Sequence, residues 1–280
     1  MTIRLWHQSF TELDRLPGYK AALGEHFRSV AAEGTEVTLN GMDPGTYPSE
    51  YPGTDIAFAA IQQLHTRQML EHAIEAERQG FDAYLLSTLP DPGLMEARTL
   101  VDIPVIGYGF AAMHIACFLG SRFGIVCFID ELAPLYAENA LRYGFAAHSG
   151  GVRPLGLGFT EVVRGYERPE PVLSAFRDAV RALAAGGVDV VIPGEAPLAL
   201  LLQRSRLQRV DEIPVIDTLG AGVKLAEALV GLRRSSGMEV TRQGYFYRRP
   251  PRRRFEELLR FYRASPSSTA ETGKGHSPVR

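Results

Sequence analysis

Short apolar runs alternate along the chain with longer segments in which apolar residues recur every three or four positions. The short runs are typical of buried strands, and the longer segments are typical of amphipathic helices. This alternation predicts parallel βαβ units with helices on both faces of the sheets. The predicted strands are 3–6, 36–42, 82–88, 103–109, 123–129, 153–158, 188–194 and 213–217, and the predicted helices are 18–34, 57–80, 111–120, 131–144, 174–187 and 219–232.

The sequence repeats itself once. GFDAYLLST (80–88) matches GVDVVIPGE (187–195), and DIPVIGYGFAAMHIA (102–116) matches EIPVIDTLGAGVKLA (212–226). The offsets are 107 and 110 residues, and two independent matches at nearly the same offset are hard to obtain by chance. We therefore predict two similar Rossmann-like α/β lobes with parallel sheets, related by a pseudo-twofold axis, with the active site in the cleft between them.

Two segments lack a regular pattern. Residues 41–56 are rich in Pro, Gly and Tyr, and this length is typical of a lid, a binding loop or a surface excursion. An Arg-rich stretch, 242–263, is expected to pack along the body or a neighbouring subunit, and a disordered tail follows it. The predicted division is lobe one at 1–117 plus 219–245, lobe two at 118–218, and an arm with tail at 246–280.

Composition narrows the class of protein. Lys and Arg total 30 and Asp and Glu total 32, so the net charge of −2 argues against a nucleic-acid binder. No apolar run reaches the roughly 18 residues of a membrane span, and the first residues lack a signal-peptide pattern. Two cysteines, Cys117 and Cys127, are too few for a disulfide framework and lie in apolar surroundings. We expect a cytoplasmic protein, a homo-oligomer without nucleic-acid or membrane partners, that acts on a small molecule.

The repeat also predicts the position of the site. Ligands of open parallel sheets bind beyond the carboxyl ends of the strands, where the equivalent strands end at Ser87-Thr88 and at Gly194-Glu195. If the lobes face each other, Thr88 and Glu195 approach one cleft from opposite sides. Helices that start after these turns would direct N–H groups at a carboxylate or enolate oxygen. Small residues that let a ligand approach the backbone are Gly93, Gly194 and Ala196.

DAYLLSTLPDPGLMEARTLVDIPVIG (82–107) resembles the first-half motif of the aspartate/glutamate/hydantoin racemase superfamily, in which hydantoin racemases read roughly Cys-Phe-Gly-Asp-Pro-Gly-Leu. GVDVVIPGEAPLALLL and IPVIDTLGAGVKLAEALV resemble the second-half motif, and IRLWHQS lies where the family has its first strand and a substrate loop. The resemblance implies one active site between two lobes, no cofactor, and chemistry at a carbon next to a carbonyl. It places Asp91 and Gly93 beside the ligand and His7, Gln8 and Ser9 at the substrate loop. Ser87, at the end of its strand, is the remaining residue expected to contact the substrate.

The sequence departs from this family at the catalytic positions. The family's racemases use two cysteines as acid and base, and carried over here these positions hold Thr88 and Glu195. A Thr hydroxyl is too weak an acid for a symmetric proton exchange, although it can donate a hydrogen bond or act as an activated nucleophile. A partly desolvated Glu is a credible general base. The site is therefore expected to be asymmetric, with Glu195 and Thr88 as catalytic residues.

Three functions remain open at this point. One is proton transfer at the α carbon of a small amino-acid-derived carboxylate or cyclic amide, with His7 as a possible second donor. Another is hydrolysis, elimination or decarboxylation on the same scaffold, and the third is binding without chemistry. Glu195 could instead cap the following helix, Thr88 could satisfy a backbone group, and Asp91 could belong to an ordinary turn. A metal site is not expected, because His7, Glu195 and Asp217 follow no ligand spacing.

Overall fold

The computed structural model describes residues 2–47 and 53–264 of the 280-residue chain. Its strands form two parallel sheets and one small antiparallel hairpin. The first sheet contains β1 (Ile3–Gln8), β2 (Thr35–Asn40), β3 (Ala83–Leu86) and β4 (Val105–Gly107). The second contains β5 (Phe123–Cys127), β6 (Ser149–Pro154) and β7 (Val190–Pro193), and the hairpin pairs β8 (Arg209–Val210) with β9 (Ile213–Pro214).

Helices connect the strands of the two parallel sheets, as parallel pairing requires a crossover between strands. They are α1 (Pro17–Val30), α2 (Gly53–Ile56), α3 (Ala59–Arg78), α4 (Leu94–Leu100), α5 (Tyr108–Leu119), α6 (Ala133–Arg142), α7 (Phe159–Arg164), α8 (Glu170–Ala185), α9 (Ala196–Arg204), α10 (Thr218–Ser236) and α11 (Arg252–Ala264). None of the helices in the described ranges has the length and apolarity needed to cross a lipid bilayer.

The two sheets have the same strand order. The first runs β2-β1-β3-β4, and the second runs β6-β5-β7 with a parallel bridge from Val191 to Val215 at the position that corresponds to β4. All four residues of β3 and of β7 are buried, as expected for central parallel strands covered on both faces. The predicted two-lobed α/β fold is confirmed.

Matching hydrogen bonds mark the repeat at the start of these central strands. Asp82 accepts a bond from the backbone N–H of Arg4, near the start of β1, at 2.8 Å. Asp189 accepts bonds from the backbone N–H groups of Ser121 and Arg122, just before β5, both at 2.8 Å. In return, the N–H of each aspartate donates to the carbonyl of the corresponding arginine. The Asp shared by both repeats therefore sets the register of two adjacent strands.

The helices that follow the repeated Ile-Pro-Val strands link the lobes. α5 begins directly after β4 and contacts β7 of the second sheet, whereas α10 packs against α5, α1 and β3. Gly222 of α10 meets the Tyr108 ring so closely that a Cβ atom there would clash with it. The two lobes thus exchange helices across their interface and share one continuous core.

The sixth strand differs from the sequence prediction. It spans Ser149–Pro154, whereas the sequence predicts 153–158, because Gly150 and Gly151 enter the strand. Gly150 lies against the Val188 side chain, where a Cβ atom would clash, and Gly151 has φ of 105°. The pairing with β5 shifts register between Phe123 and Ile125. The close packing at Gly150 and the positive φ of Gly151 therefore require glycine inside this strand. From composition alone, two consecutive glycines favour a loop.

Two arginines of the Arg-rich stretch, 242–263, pack against the body. Arg242 donates to the carbonyl oxygens of Arg98 and Val101 and pairs with Asp102, and Arg249 pairs with Asp102 at 2.8 Å. This agrees with the expected packing along the body. The tail that is predicted to be disordered lies outside the described residues from residue 265 onward. Residues 48–52 of the irregular segment 41–56 also lie outside them. The proposed lobe boundaries at 117/118 and 218/219 stay a prediction.

Candidate active site

A cavity of about 460 Å³ lies where the carboxyl ends of both sheets meet. Residues that follow the four inner strands line it: Ser9 and Thr11 after β1, Ser87 and Thr88 after β3, Phe128 and Ile129 after β5, and Glu195 and Ala196 after β7. The rest of the wall is largely apolar and comes from Phe10, Leu16, Tyr19, Ile56, Phe159, Val163, Tyr166 and Pro197, with Arg15, Glu167 and Arg204 also lining it. Such a volume, apolar with a few convergent polar groups, suits a small molecule.

Glu195 lies on the cavity wall but is only 5% exposed. It occupies the N-cap position of α9, yet its side chain makes no capping hydrogen bond. Its carboxyl instead accepts bonds from the backbone N–H of Phe128 at 3.1 Å and of Ile129 at 3.4 Å, and it lies 3.0 Å from the Tyr136 hydroxyl. The capping alternative therefore does not describe this side chain.

Burial changes the acidity of this carboxyl. Desolvation raises the pKa of Glu195 from 4.5 to about 8, although the three hydrogen bonds oppose the rise, and the nearby Asp130 adds to it. With a pKa of about 8 the group is mostly protonated at pH 7, and a small change in its surroundings would ionise it. A carboxyl whose pKa lies near neutrality is suited to proton transfer.

Ser87 and Thr88 face the same cavity from the other lobe. Ser87 is 4% exposed, and its Oγ has no hydrogen-bond partner within residues 2–47 and 53–264. Burial of a hydroxyl without a hydrogen-bond partner costs free energy, so a polar ligand atom would supply the missing hydrogen bond. Thr88 is 9% exposed, and its backbone carbonyl accepts the N–H of Asp91. The two residues thus line the same cavity as Glu195, which comes from the other lobe.

Two candidates from the first strand do not line the cavity. β1 extends to Gln8, two residues beyond its predicted end, so His7 and Gln8 lie within the strand and not in the turn after it. His7 is completely buried with Nδ1 3.0 Å from the Tyr108 hydroxyl, and burial lowers its pKa to about 3. Gln8 donates to the carbonyls of Ser9 and Gly41. Ser9 does line the cavity, and its hydroxyl lies 2.9 Å from that of Thr11.

Asp91 and Gly93 shape the turn after β3 and lie outside the cavity lining. Asp91 accepts bonds from the N–H groups of Gly109 and Phe110 at the start of α5 and from the Tyr143 hydroxyl of lobe two. Desolvation raises its pKa to about 7. Gly93 has φ of 75°, and a Cβ atom there would lie 2.7 Å from the Thr66 side chain. These residues therefore hold the turn in place, in line with the turn alternative for Asp91.

Gly194 lies beneath the cavity wall. It is not part of the lining, but a Cβ atom there would lie 3.0 Å from the Cβ of Cys127, and its carbonyl accepts a hydrogen bond from Tyr136 at 2.9 Å. Neither Cys127, which is buried on β5, nor Cys117, on α5, lines the cavity. Within the described ranges, no group of three or more His, Cys, Asp or Glu residues is placed to hold a metal ion.

Sequence reasoning missed the partners of Glu195. Phe128 and Ile129 directly follow a strand of the second sheet, so the rule that sites lie at the carboxyl ends of strands could have indicated them. Tyr136 lies on an amphipathic helix at a core position, where a tyrosine carries no signal of function. The aromatic wall from Tyr19, Phe159 and Tyr166 also comes from helices or loops remote in sequence.

The fold and this site define a two-lobed α/β protein with a ligand-sized cavity built from the carboxyl ends of two matching sheets. Residues 27–226 match the family model for Asp/Glu/hydantoin racemases, and the chain belongs to that family. It is 32% identical to a hydantoin racemase of Rhizobium meliloti over 184 residues, which are 66% of this chain and 74% of the relative. It is 27% identical over 222 residues to the hydantoin racemase of Paenarthrobacter aurescens, covering 77% of this chain and 89% of the relative.

Solved structures agree with this assignment. The allantoin racemase of Klebsiella pneumoniae superposes with a TM-score of 0.72 at 28% identity, covering 89% of this chain and 94% of that one. The allantoin racemase of Pseudomonas fluorescens gives 0.71 at 25% identity, with 89% and 97% covered. The glutamate racemase RacE1 of Bacillus anthracis, at 12% identity and a TM-score of 0.55, shows the same fold. The resemblance inferred from the sequence motifs is confirmed at the level of the family.

Proposed function

We propose that this protein is a cofactor-independent enzyme that transfers a proton at the carbon next to a carbonyl of a small cyclic amide of the hydantoin class. Glu195 is the group that moves the proton. The observation that supports this most strongly is a buried carboxyl with a pKa near 8 on the wall of the interlobe cavity, at the end of β7. Membership in the racemase family and similarity to hydantoin and allantoin racemases support the substrate class.

The cavity suits a ring with polar edges and an apolar substituent. Hydroxyl groups of Ser9, Ser87 and Thr88 can bond the carbonyl and N–H groups of such a ring. The apolar wall would receive a hydrocarbon or aromatic substituent on the reacting carbon, and burial of that substituent would stabilise the complex. Ser87 is the group most in need of a ligand atom, because its hydroxyl is buried without a partner in the described chain.

The two lobes contribute different acid–base groups to the cavity. Lobe two supplies Glu195, whereas lobe one supplies hydroxyl groups at the end of β3, which cannot lose a proton near neutral pH without a base. Thr88 is therefore proposed to hydrogen-bond the developing enolate oxygen, while Glu195 takes the proton from the carbon and returns it. Hydrogen-bond donors aimed at an enolate typically supply a large part of the rate enhancement.

A second function is favoured by the protonation state of Glu195. Because its pKa of about 8 leaves the carboxyl mostly protonated at pH 7, it is also suited to protonate an enolate formed by loss of CO₂. A decarboxylase on this scaffold, acting on a carboxylate with a second carbonyl group, is therefore the alternative. Hydrolysis by a water molecule activated by Glu195 has no comparable support. A homo-oligomeric state and a cytoplasmic location stay predictions.

Hydrogen–deuterium exchange in D₂O tests the proposal directly. Enantiopure 5-substituted hydantoins, allantoin and a substituted malonate are incubated with enzyme and followed by ¹H NMR and polarimetry. A single carboxyl returns the proton to the face from which it took it, so the proposal expects deuterium at the ring carbon of a hydantoin. Optical rotation should fall only as the planar enolate leaves the site or turns over before it is reprotonated. Glu195→Gln should slow the exchange by about 10²–10⁴-fold. Glu138→Gln, the same change at an exposed position of α6, is the matched control.

The outcomes separate the functions. CO₂ release from the malonate with no exchange into hydantoins identifies the decarboxylase. Tight binding without exchange, CO₂ release or ring opening identifies a binding protein. A Glu195→Gln enzyme with the wild-type rate refutes the role of this carboxyl.

A further inference from the structure

The phenol of Tyr136 lies between two acceptors. Its oxygen is 2.9 Å from the carbonyl oxygen of Gly194 and 3.0 Å from Oε1 of Glu195. A phenol has one proton to donate, so it can satisfy only one of these acceptors at a time, although its oxygen can also accept a bond. The side chain is completely buried, so water does not supply the missing bond readily.

We propose that Tyr136 is a positioning residue that switches its hydrogen bond between Gly194 and Glu195 and so satisfies the Glu195 carboxyl both before and after proton transfer. This proposal rests on the proposed function of Glu195. When the carboxyl is ionised, Tyr136 donates to Oε1. When the carboxyl is protonated on Oε1, it donates to the Tyr136 oxygen, and the phenol proton turns to the Gly194 carbonyl.

The proton balance of this switch is simple. The transferred proton passes between the substrate carbon and the Glu195 carboxyl, and Tyr136 keeps its own proton in both states. Burial and the neighbouring Glu195 raise the pKa of Tyr136 well above its ordinary value, so the phenol stays neutral throughout. The Phe128 N–H, 3.1 Å from Oε2, holds the other carboxyl oxygen in both states.

The ring of Tyr136 is held in place by its helix. Asn139 donates to the carbonyl of Pro90 at 2.8 Å, and the Tyr143 hydroxyl lies 3.1 Å from Asp91. Residues 136, 139 and 143 share one face of the helix and its C-terminal turn, and this face meets the turn that follows Thr88. With the helix fixed to both lobes, the switch requires only rotation of the hydroxyl about its C–O bond.

Among the residues that the structure describes, two backbone N–H groups and one side chain, that of Tyr136, hydrogen-bond to the Glu195 carboxyl. Other titratable or charged groups face the pair from the surrounding elements, and none of them makes a hydrogen bond to Glu195. They are Cys127 on β5, Asp130 after β5, Asp91 after β3, and Arg15, Tyr19, Tyr166, Glu167 and Arg204 around the cavity. All of them remain in a Tyr136 variant, so a change in the pKa of Glu195 reports the lost phenol.

The first test measures the pKa of Glu195 in the full-length protein without substrate. Carboxyl ¹³C NMR or infrared spectroscopy follows the titration, and the signal lost in Glu195→Gln assigns it. In Tyr136→Phe we expect the pKa to rise by about one unit, because a bond to a charged acceptor is stronger than one to a neutral group. The C=O band of the protonated acid should move to higher wavenumber, because its O–H group loses Tyr136 as hydrogen-bond acceptor.

Tyr84→Phe is the matched control. Tyr84 is also completely buried and donates to one backbone carbonyl, that of Met69, at 2.8 Å, but it does not contact Glu195. It should leave the Glu195 titration unchanged. If Tyr136→Phe does not fold, 3,5-difluorotyrosine introduced at position 136 keeps the shape and donates more strongly, so it should lower the pKa of Glu195. An unchanged titration in the Tyr136 variants overturns the switch.

The second test measures turnover. With a hydantoin substrate, Tyr136→Phe should lower kcat by roughly 10–100-fold at pH 7 and change KM by less than about threefold, because the switch acts while the proton moves. Wild-type kcat in this variant overturns the positioning role. A shifted pKa together with no deuterium exchange by the wild-type protein on any substrate leaves the switch intact and counts against the proposed function alone.

Discussion

The carboxyl of Glu195 reaches the backbone N–H of Phe128, 3.1 Å away, at the end of the neighbouring strand. β5 and β7 are adjacent parallel strands, so the residue after one strand can bond the side chain that follows the other. This bond holds the carboxyl at the cavity wall and directs it away from the first turn of α9. It explains how a nearly buried acid can remain in contact with a ligand cavity.

Burial of this acid predicts a pH-dependent stability. The pKa of Glu195 rises from 4.5 to about 8 on folding, so the folded state holds a proton that the unfolded state releases between these values. The resulting stabilisation is fully present below about pH 4.5 and is lost as the pH rises through 8. For this group the loss is on the order of 3–5 kcal/mol in the free energy of unfolding.

Urea unfolding at pH 5 and pH 8.5 measures this term. The free energy of unfolding should differ less between pH 5 and pH 8.5 in Glu195→Gln than in wild type. In Glu138→Gln the difference should equal that of wild type. Asp91, with a pKa raised to about 7, contributes equally to all three proteins and cancels. Parallel pH curves for wild type and Glu195→Gln would show that the carboxyl titrates normally.

Ser87 should show opposite effects on stability and activity. Its buried Oγ bonds no group of the described chain, so Ser87→Ala removes no hydrogen bond and relieves a desolvated hydroxyl. We expect the free energy of unfolding to stay constant or to rise by up to about 1 kcal/mol, while substrate affinity falls about 5–50-fold. Thermal unfolding and the KM of the same preparation check both effects. A clear loss of stability would indicate a structural bond and remove the argument for a ligand contact.

The repeat made the central part of the fold predictable. Asp82 and Asp189, and the apolar strands after them, are local features, and their equivalence fixes the two matching sheets and the common end points at Thr88 and Glu195. The positions of His7 and Gln8 could not be predicted in this way. Whether β1 ends at residue 6 or 8 depends on its pairing with β2 and β3, and the nearer of these, β2, is separated from β1 by the 26 residues 9–34.

Tyr136 illustrates what sequence cannot supply. Its role depends on a helix from lobe two that meets both the β7 turn and the turn after β3, and such a contact exists only once both lobes are assembled. Asp91 shows the same limit, because the resemblance places it near the ligand, while the structure shows it bound to the start of α5. Long-range packing decides the direction of these side chains.

Activity should not depend on the thiols. Cys127 is buried, its pKa is raised by desolvation, and neither cysteine lines the cavity. Cys117→Ser and Cys127→Ala together should leave kcat/KM within about tenfold of wild type, with roughly 1–2 kcal/mol lost in stability at Cys127 through the small cavity left behind. Iodoacetamide should not inactivate the folded protein. Inactivation by one equivalent, with protection by substrate, would place a reactive thiol in the site.

Replacement of Thr88 distinguishes a hydrogen-bond donor from a nucleophile. Thr88 lines the cavity opposite Glu195, and it belongs to the turn rather than to β3 itself. If its hydroxyl only stabilises an enolate, Thr88→Val keeps the shape and should raise the activation barrier by about 1–3 kcal/mol, roughly 5–150-fold in kcat. Thr88→Ser keeps the hydroxyl and should retain most of the activity.

If the hydroxyl attacks the substrate, Thr88→Val abolishes turnover, and mass spectrometry of quenched wild type would show an ester on residue 88. We expect no such adduct, because the carboxyl of Glu195 is hydrogen-bonded to Phe128, Ile129 and Tyr136, and a Thr without a base is a poor nucleophile.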